Sequence, residues 1–276
     1  MTLITVGVIL VLFISSYMTD VVFGYKQGYF PKKPSTNILH VDTDVLLSSQ
    51  TPFPPIPSVT PSLIFTQTPM AVPTPTETIT STLQRVSINN LPESMELQGF
   101  IGHQQYYTLD CEARSALDWA GFLGYSIDEL DFLNKLPKSD NPEAGFVGNY
   151  WDFPGSIPPY SYGVHAEPIA FLLREYGVPA LAVKKMSWEE LQLQIANEKP
   201  VVTWVIYQLG YSDPVTYTSQ DGVSTIVAPY EHTVVVVGYQ PGYVILFDGA
   251  QKYSVPLDQF LTSWQVLGNM AITTDF

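Results

Sequence analysis

Cys111 is the only cysteine in the chain, and it stands six residues after Gln105 in the run Gln105-Tyr106-Tyr107-Thr108-Leu109-Asp110-Cys111. A lone thiol cannot form an intramolecular disulfide and is a poor start for a metal site. Inert packing, the commonest fate of a single cysteine, and chemistry are what remain. An apolar helical stretch begins at Cys111, and the positive end of a helix dipole favours thiolate there. Glu231-His232 and Asp248 lie far downstream and supply the residue types for a base and for a group that orients it. Brought beside Cys111, they would make a nucleophile suited to acyl transfer. Gln105 offers a side-chain N–H toward a developing oxyanion, together with the Cys111 backbone N–H. Gln104 is an equal amide by type, and only spacing prefers Gln105. Glu112 is expected to point elsewhere on the helix. His103 and His165 are rival bases. His103 is too near Cys111 in sequence to approach from the opposite wall. His165 sits on a helix without an evident carboxylate partner and reads as structural, or as a pocket wall.

Two strands must position the base and its orienter. Thr233-Val234-Val235-Val236-Val237-Gly238-Tyr239 and Tyr243-Val244-Ile245-Leu246-Phe247 are β-branched and aromatic and are joined by Gln240-Pro241-Gly242, which reads as a hairpin. Pro241 excludes a type I′ turn, so a three-residue loop is expected. Tyr239 would then face Tyr243, His232 would oppose Ala250, and Asp248 would oppose Val234. That register puts His232 and Asp248 on one face as diagonal neighbours, with Cβ atoms about 7–8 Å apart. A two-residue loop would separate them to opposite faces.

The nucleophile needs the helices. Asp110 reads as the N-cap of a helix running from Cys111 through Leu123 to a stop at Gly124. Ser126-Ile127-Asp128-Glu129 and Ser187-Trp188-Glu189-Glu190 read as capping boxes, the second opening a helix to about Glu198. A further helix is expected from His165 to Tyr176, closed by Gly177. The span 141–162, rich in Gly, Pro and aromatics, reads as a long surface loop, with residues 145–162 a plausible cleft wall. Val201 to Tyr207 reads as a strong strand. Helices come first and an antiparallel sheet follows, so the fold class is α+β.

The flanks carry other information. Leu3 to Ile14 is an apolar run of the length of a signal-peptide core, so residues 1–24 read as a signal peptide or an N-terminal membrane anchor. No Lys or Arg precedes Lys26, which departs from the usual signal pattern. Lys26, Lys32 and Lys33 would give an uncleaved anchor a cytoplasmic flank. Residues 25–85 hold dense Pro, Ser and Thr tracts without period and read as a disordered tether. The folded unit is expected over 86–276, outside the cytoplasm or at the cell surface. The chain of 276 residues carries a formal net charge of −14, which argues against nucleic acid or an anionic membrane surface as the main partner. The histidine spacing suggests no metal site and no Gly-rich loop suggests a nucleotide, so no cofactor is expected.

At these residues the chain resembles the C39-like peptidases, papain-fold cysteine peptidases. The resemblance rests on Gln105-x5-Cys111 opening a helix, on Glu231-His232-Thr233-Val234-Val235-Val236-Val237-Gly238-Tyr239, and on Phe247-Asp248-Gly249. It extends over Cys111-Glu112-Ala113-Arg114-Ser115, Tyr162-Gly163-Val164-His165-Ala166, Lys199-Pro200-Val201 and the closing Phe260-x3-Trp264. Many members read Cys-Gly-Pro and Asp-Pro where this chain reads Cys-Glu-Ala and Asp248-Gly249. The resemblance implies a papain-like fold and a Cys111-His232-Asp248 triad, with Gln105 in the oxyanion hole. It implies hydrolysis of peptide or amide bonds, with a peptide or protein as partner. The alternatives are an acyltransferase on the same triad and a non-catalytic cell-surface binding module.

Overall fold

The computed structural model describes residues 86–274. The residues read from sequence as a signal peptide or anchor, 1–24, and as a tether, 25–85, lie outside the described residues. In chain order the strands and helices are β1 (Met95–Glu96), α1 (Cys111–Phe122), α2 (Glu129–Lys135), α3 (Ala166–Glu175), β2 (Leu181–Val183), α4 (Trp188–Ala196), β3 (Val201–Ile206), β4 (Val215–Thr218), β5 (Ser224–Val227), β6 (Glu231–Gln240), β7 (Tyr243–Asp248), β8 (Gln251–Pro256), α5 (Leu257–Gln265) and β9 (Ala271–Thr273). Four helices thus precede the main run of strands, while α5 falls between the last two. The principal sheet is antiparallel in the order β2-β9-β3-β6-β7-β8, with β1 also paired to β6, and β4-β5 form a separate hairpin. No helix of the described residues is long and apolar enough to cross a membrane.

Local chemistry explains most helix ends. At α4 the Ser187 hydroxyl accepts from the Glu190 N–H and the Glu190 carboxylate accepts from the Ser187 N–H, the reciprocal box expected from sequence. At α2 the cap moves by two residues. Asp128 rather than Ser126 accepts from the Asp131 N–H, at 2.8 Å. At α1 Asp110 holds the cap position, but its side chain makes no capping bond. It is buried and turned back to donors in the preceding segment, Gln105 and Tyr107.

The hairpin differs from its expected form in two ways that cancel. Its loop has two residues, since Gln240 pairs with Tyr243 and Tyr239 with Val244. Pro241 followed by Gly242 at φ +76° fits a type II turn, where proline sets the first central residue and glycine the second. Alone, this would move Asp248 to the wrong face. A bulge at Val237 inserts one extra residue in β6, so that Val236 pairs with Leu246 and Val235 with Phe247. That is the pairing a three-residue loop would have produced. One inserted residue inverts side-chain parity, and His232 and Asp248 return to a common face.

Helix α1 packs against β6, whose first nine residues are all buried. Buried hydroxyls set the register. Ser115 Oγ lies 3.4 Å from the Thr233 carbonyl, and Thr233 Oγ1 donates to Ser115 Oγ at 3.1 Å. Four residues along a helix advance about 6 Å and two along a strand about 6.7 Å. Pairing Ser115 with Thr233 therefore brings Cys111 and Glu112 level with Glu231. The core beneath is built on Trp119, Trp204 and Trp264, each fully buried. Their indole N–H groups donate to the carbonyls of Pro200, Val164 and Met270 at 2.7, 3.0 and 2.9 Å. Such partners are what allow an indole to be buried whole.

The span 141–162 is less a surface loop than expected. Phe146, Val147 and Tyr162 are buried, and isolated bridges join Lys138 to Phe146 and Val147 to Gly163.

Candidate active site

Cys111 opens α1 and is buried, but it borders a cleft of about 340 Å³. Gln105, Thr108 and Leu109 form the wall on its own chain side, and Pro154, Tyr207, Tyr230, Glu231 and His232 line the rest. Cavities of about 400 Å³ beside Asp118 and about 620 Å³ beside Lys184 are larger. Neither borders a thiol together with an imidazole, so chemistry selects the smaller cleft. Gln104 is exposed and is not part of its lining. Of the cleft-wall span expected from sequence, Pro154 reaches the cleft directly, and Gly155 lies under the Tyr230 ring.

On β6, His232 Nε2 lies 2.7 Å from Asp248 Oδ1. Tyr253 donates to the other oxygen of Asp248 at 3.2 Å, a contact that sequence spacing did not suggest. Burial raises the Asp248 carboxyl, but the hydrogen bond and charge of His232, aided by Tyr253, hold it below its ordinary value. With Nε2 engaged, Nδ1 is the imidazole nitrogen left to face the cleft. The Tyr207 ring stands edge-on to the imidazole, with centroids 5.7 Å apart, and limits its rotation.

Gln105 is oriented from behind. Its Nε2 donates to Asp110 Oδ1 at 2.8 Å, and the Tyr107 N–H donates to Asp110 Oδ2 at 2.9 Å. Asp110 thus anchors the Gln105 side chain where the sequence suggested a helix cap. One amide hydrogen of Gln105 is used and the other is left for the cleft.

The other two histidines of the described residues are elsewhere. Exposed His103 pairs through Nδ1 with buried Asp118 at 2.7 Å. His165 is buried and, against expectation, has a carboxylate partner. Its Nδ1 lies 2.6 Å from Glu143 and its Nε2 is 3.1 Å from the Tyr162 hydroxyl. Burial lowers its affinity for a proton, and the Glu143 contact opposes that. Glu143 itself, although raised by burial, is held down to about 2 by His165 and Lys184. His165 ties the 141–162 span to α3 and is not in the cleft lining.

The largest departure from the sequence reading concerns Glu112. It does not point away but is fully buried beside the thiol, and Cys111 Sγ donates to its Oε2 at 3.2 Å. Its Oε1 accepts from the Val164 N–H at 2.7 Å. Gly163 makes this possible. It has φ +112°, and a Cβ there would overlap Glu112 Oε1 and lie 3.3 Å from Glu231 Oε2. Glu231 is also buried, and neither of its oxygens finds an N–H or hydroxyl donor. The carboxyl beside it is that of Glu112, with an oxygen of each within 4.8 Å of the other and of the Cys111 sulfur. Burial pushes the Cys111 thiol well above its usual range, and the charges of Glu112 and Glu231 push it the same way. The helix N-terminus does not overcome them, so the resting sulfur is a neutral S–H donor rather than a thiolate. The thiol and two carboxyls place three ligand atoms within 4.8 Å of one another. Glu112 already accepts at both oxygens, from the Val164 N–H and the Cys111 S–H, whereas both Glu231 oxygens lack a donor.

Comparison with known proteins follows the same residues. A family model described as the Peptidase_C39 like family matches residues 100–272. A solved structure of a candidate C39-like peptidase from Bacillus anthracis superposes with a TM-score of 0.59 at 27% sequence identity, covering 67% of this chain and 98% of its own. No curated protein matches the chain.

Proposed function

The chain belongs to the C39-like peptidase family, and from that premise we propose that it is an extracytoplasmic cysteine peptidase of papain-like arrangement, acting through a Cys111-His232-Asp248 triad. The observation that carries the reading is the 2.7 Å His232–Asp248 contact at the edge of the cleft that Cys111 borders. An imidazole fixed by a carboxylate on one nitrogen presents the other as a base.

In the proposed cycle His232 takes the Cys111 proton and the thiolate attacks the scissile carbonyl. The Cys111 backbone N–H and the free Gln105 amide hydrogen stabilise the oxyanion. The C–N bond breaks as His232 protonates the leaving amine, which leaves a thioester. Water then attacks the thioester and gives a proton to His232, and acid and thiol are released. Asp248 holds the imidazole tautomer throughout. Tyr207 and Tyr230, both more than half exposed, offer flat apolar walls for the substrate chain.

The test is a screen of peptides and peptidoglycan fragments with native protein and Cys111→Ala, run with and without an added amine acceptor. Cleavage that requires Cys111 supports the peptidase, and amide products that replace hydrolysis products would identify an acyltransferase. A native protein whose Cys111 resists iodoacetamide throughout pH 5–9 would sink both and leave a binding module. The proposed location is checked by fractionating the producing cells. Recovery of all the protein in the cytoplasm would refute export.

A further inference from the structure

Two acids flank the two central residues of the cleft in sequence: Glu112 directly follows Cys111, and Glu231 directly precedes His232. Neither belongs to the proposed catalytic cycle. Both are buried, and they meet each other beside the thiol. Carboxylate oxygens only accept, so two carboxyls can hydrogen-bond only if a proton lies between them. Glu112 accepts from Val164 N–H and from Cys111 S–H, which makes Glu112 the anionic member. Glu231 has no other donor, which makes it the acid that carries the shared proton. Gly163 supplies the room in which the two meet.

The surroundings give the pair no counter-charge. On α1 the facing titratable groups are Asp110 and Cys111, and on β6 the neighbour is His232, engaged with Asp248. From the 141–164 span the facing groups are Tyr162 and, beyond it, Glu143. The groups acting on Glu112 and Glu231 are acids, the thiol and backbone N–H, and none is a cation. Like charges this close cannot both ionise, and a second proton is the natural means of neutralising the pair.

We propose that Glu112, paired with Glu231 through a shared proton, is a positioning residue that sets the protonation state of Cys111. With one proton on the pair, anionic Glu112 accepts the S–H hydrogen and holds the sulfur neutral. With two, Glu112 becomes a donor to sulfur, and the thiolate that forms when Cys111 gives its proton to His232 gains a hydrogen bond in place of a repelling charge. Thiolate formation is thereby coupled to uptake of one proton from solvent at Glu112. Because burial, opposed by the hydrogen bonds from Val164 and Cys111, raises Glu112 to about 7, the exchange falls near neutrality. Cys111 is more reactive below that point than just above it, the reverse of an ordinary thiol. The inference rests on the peptidase reading only in taking Cys111 as the reactive nucleophile.

The experiment measures the rate of Cys111 alkylation by iodoacetamide from pH 5 to 9 in the full chain, for native protein, Glu112→Gln and Glu231→Gln, alongside peptide hydrolysis where a substrate is found. The native rate is expected to fall about tenfold between pH 6 and 8, since a charge that moves a thiol by one pH unit changes its thiolate fraction tenfold. In Glu112→Gln, which is neutral at every pH, that fall disappears. Infrared difference spectra of native protein between pH 5 and 8 provide a readout that needs no variant to fold: a protonated-carboxyl stretch must bleach. An alkylation rate that climbs smoothly with pH in native protein and in parallel in Glu112→Gln overturns the proposal. The two readings fail separately. Hydrolysis with an ordinary thiol profile removes the acid pair and keeps the peptidase. The inverted alkylation profile without hydrolysis of any substrate keeps the pair and removes the peptidase.

Discussion

Replacing Gly163 by Ala tests how closely the fold is built around Glu112. The added Cβ would overlap Glu112 Oε1 and sit at φ +112°. A non-glycine residue in that region costs about 1–3 kcal/mol. The overlap must be relieved by moving the carboxyl, which strains the packing by about 1–3 kcal/mol. Moving it also breaks the 2.7 Å bond from Val164 N–H, and a hydrogen bond to a charged group contributes about 1.5–3 kcal/mol. The combined loss is about 4 kcal/mol or more, a large share of the 5–15 kcal/mol that holds a typical domain folded (about that range). Val164 cannot retreat freely, because its carbonyl is held by the Trp204 indole at 3.0 Å. The assay is urea unfolding followed through the fluorescence of the buried tryptophans, repeated in a Glu112→Ala background. There the clash with Glu112 and the lost bond are already absent, and the backbone strain and the 3.3 Å approach to Glu231 Oε2 remain. The cost of Gly163→Ala should therefore shrink by about 2 kcal/mol or more, a coupling that only neighbours in contact show. A loss below about 1 kcal/mol, or an equal loss in both backgrounds, would refute the placement of Glu112 against Gly163.

Two further outcomes follow from the same residues. Stability should fall as pH rises from about 5 to 8. Glu112 titrates at 4.5 when unfolded and at about 7 when folded, so the folded state binds more protons in that window. The difference, at about 1.4 kcal/mol per pH unit, amounts to about 3 kcal/mol, fully present below 4.5 and lost as pH rises through 7. Asp248 and Glu143 work the other way only at lower pH, since both are held below their ordinary values. Denaturant midpoints of native protein and of the double Glu112→Gln, Glu231→Gln variant decide this, and equal slopes against pH would count against the shared proton. Asp248→Ala should keep the fold while lowering kcat by about 10⁴, because the imidazole loses the acceptor on Nε2 that fixes its tautomer and orientation. An unchanged kcat with an unchanged pH profile would remove Asp248 from the proposed triad.

Much of the frame is legible because it is written locally. Ser187 and Glu190 lie within one turn, and the apolar content of α1 and β6 marks them without reference to the rest of the chain. What the sequence hides is non-local. Strand β8 begins Gln251-Lys252-Tyr253 and is mostly exposed, so it has no apolar run, and Tyr253 behind Asp248 could not be anticipated. The bulge at Val237 lies within four consecutive valines, where no residue differs from its neighbours enough to mark it. The shared face of His232 and Asp248 was reached from sequence through a turn one residue too long. It is reached in the fold through a shorter turn and the bulge.

Magnitude decides the protonation state of Cys111. A helix N-terminus stabilises an anion by about 0.3–1 kcal/mol, and by about 2 kcal/mol in favourable buried cases. Full burial shifts a titrating group by up to about 3–5 pH units, each worth about 1.4 kcal/mol. The dipole is visible in sequence because it needs only a helix start, whereas burial depends on which segments close over that start. Here Gly163 and Val164 do so, and they bring Glu112 with them. The larger effect therefore wins and opposes the smaller one. A cysteine whose position promises a preformed thiolate is instead a neutral donor to its neighbour. The sequence did carry one mark of this: an acid placed directly after the thiol and another directly before the imidazole, each at the head of an element that is largely buried. Charges in such positions either reach solvent or find a partner when buried, and the register of Ser115 on Thr233 makes these two each other's partner.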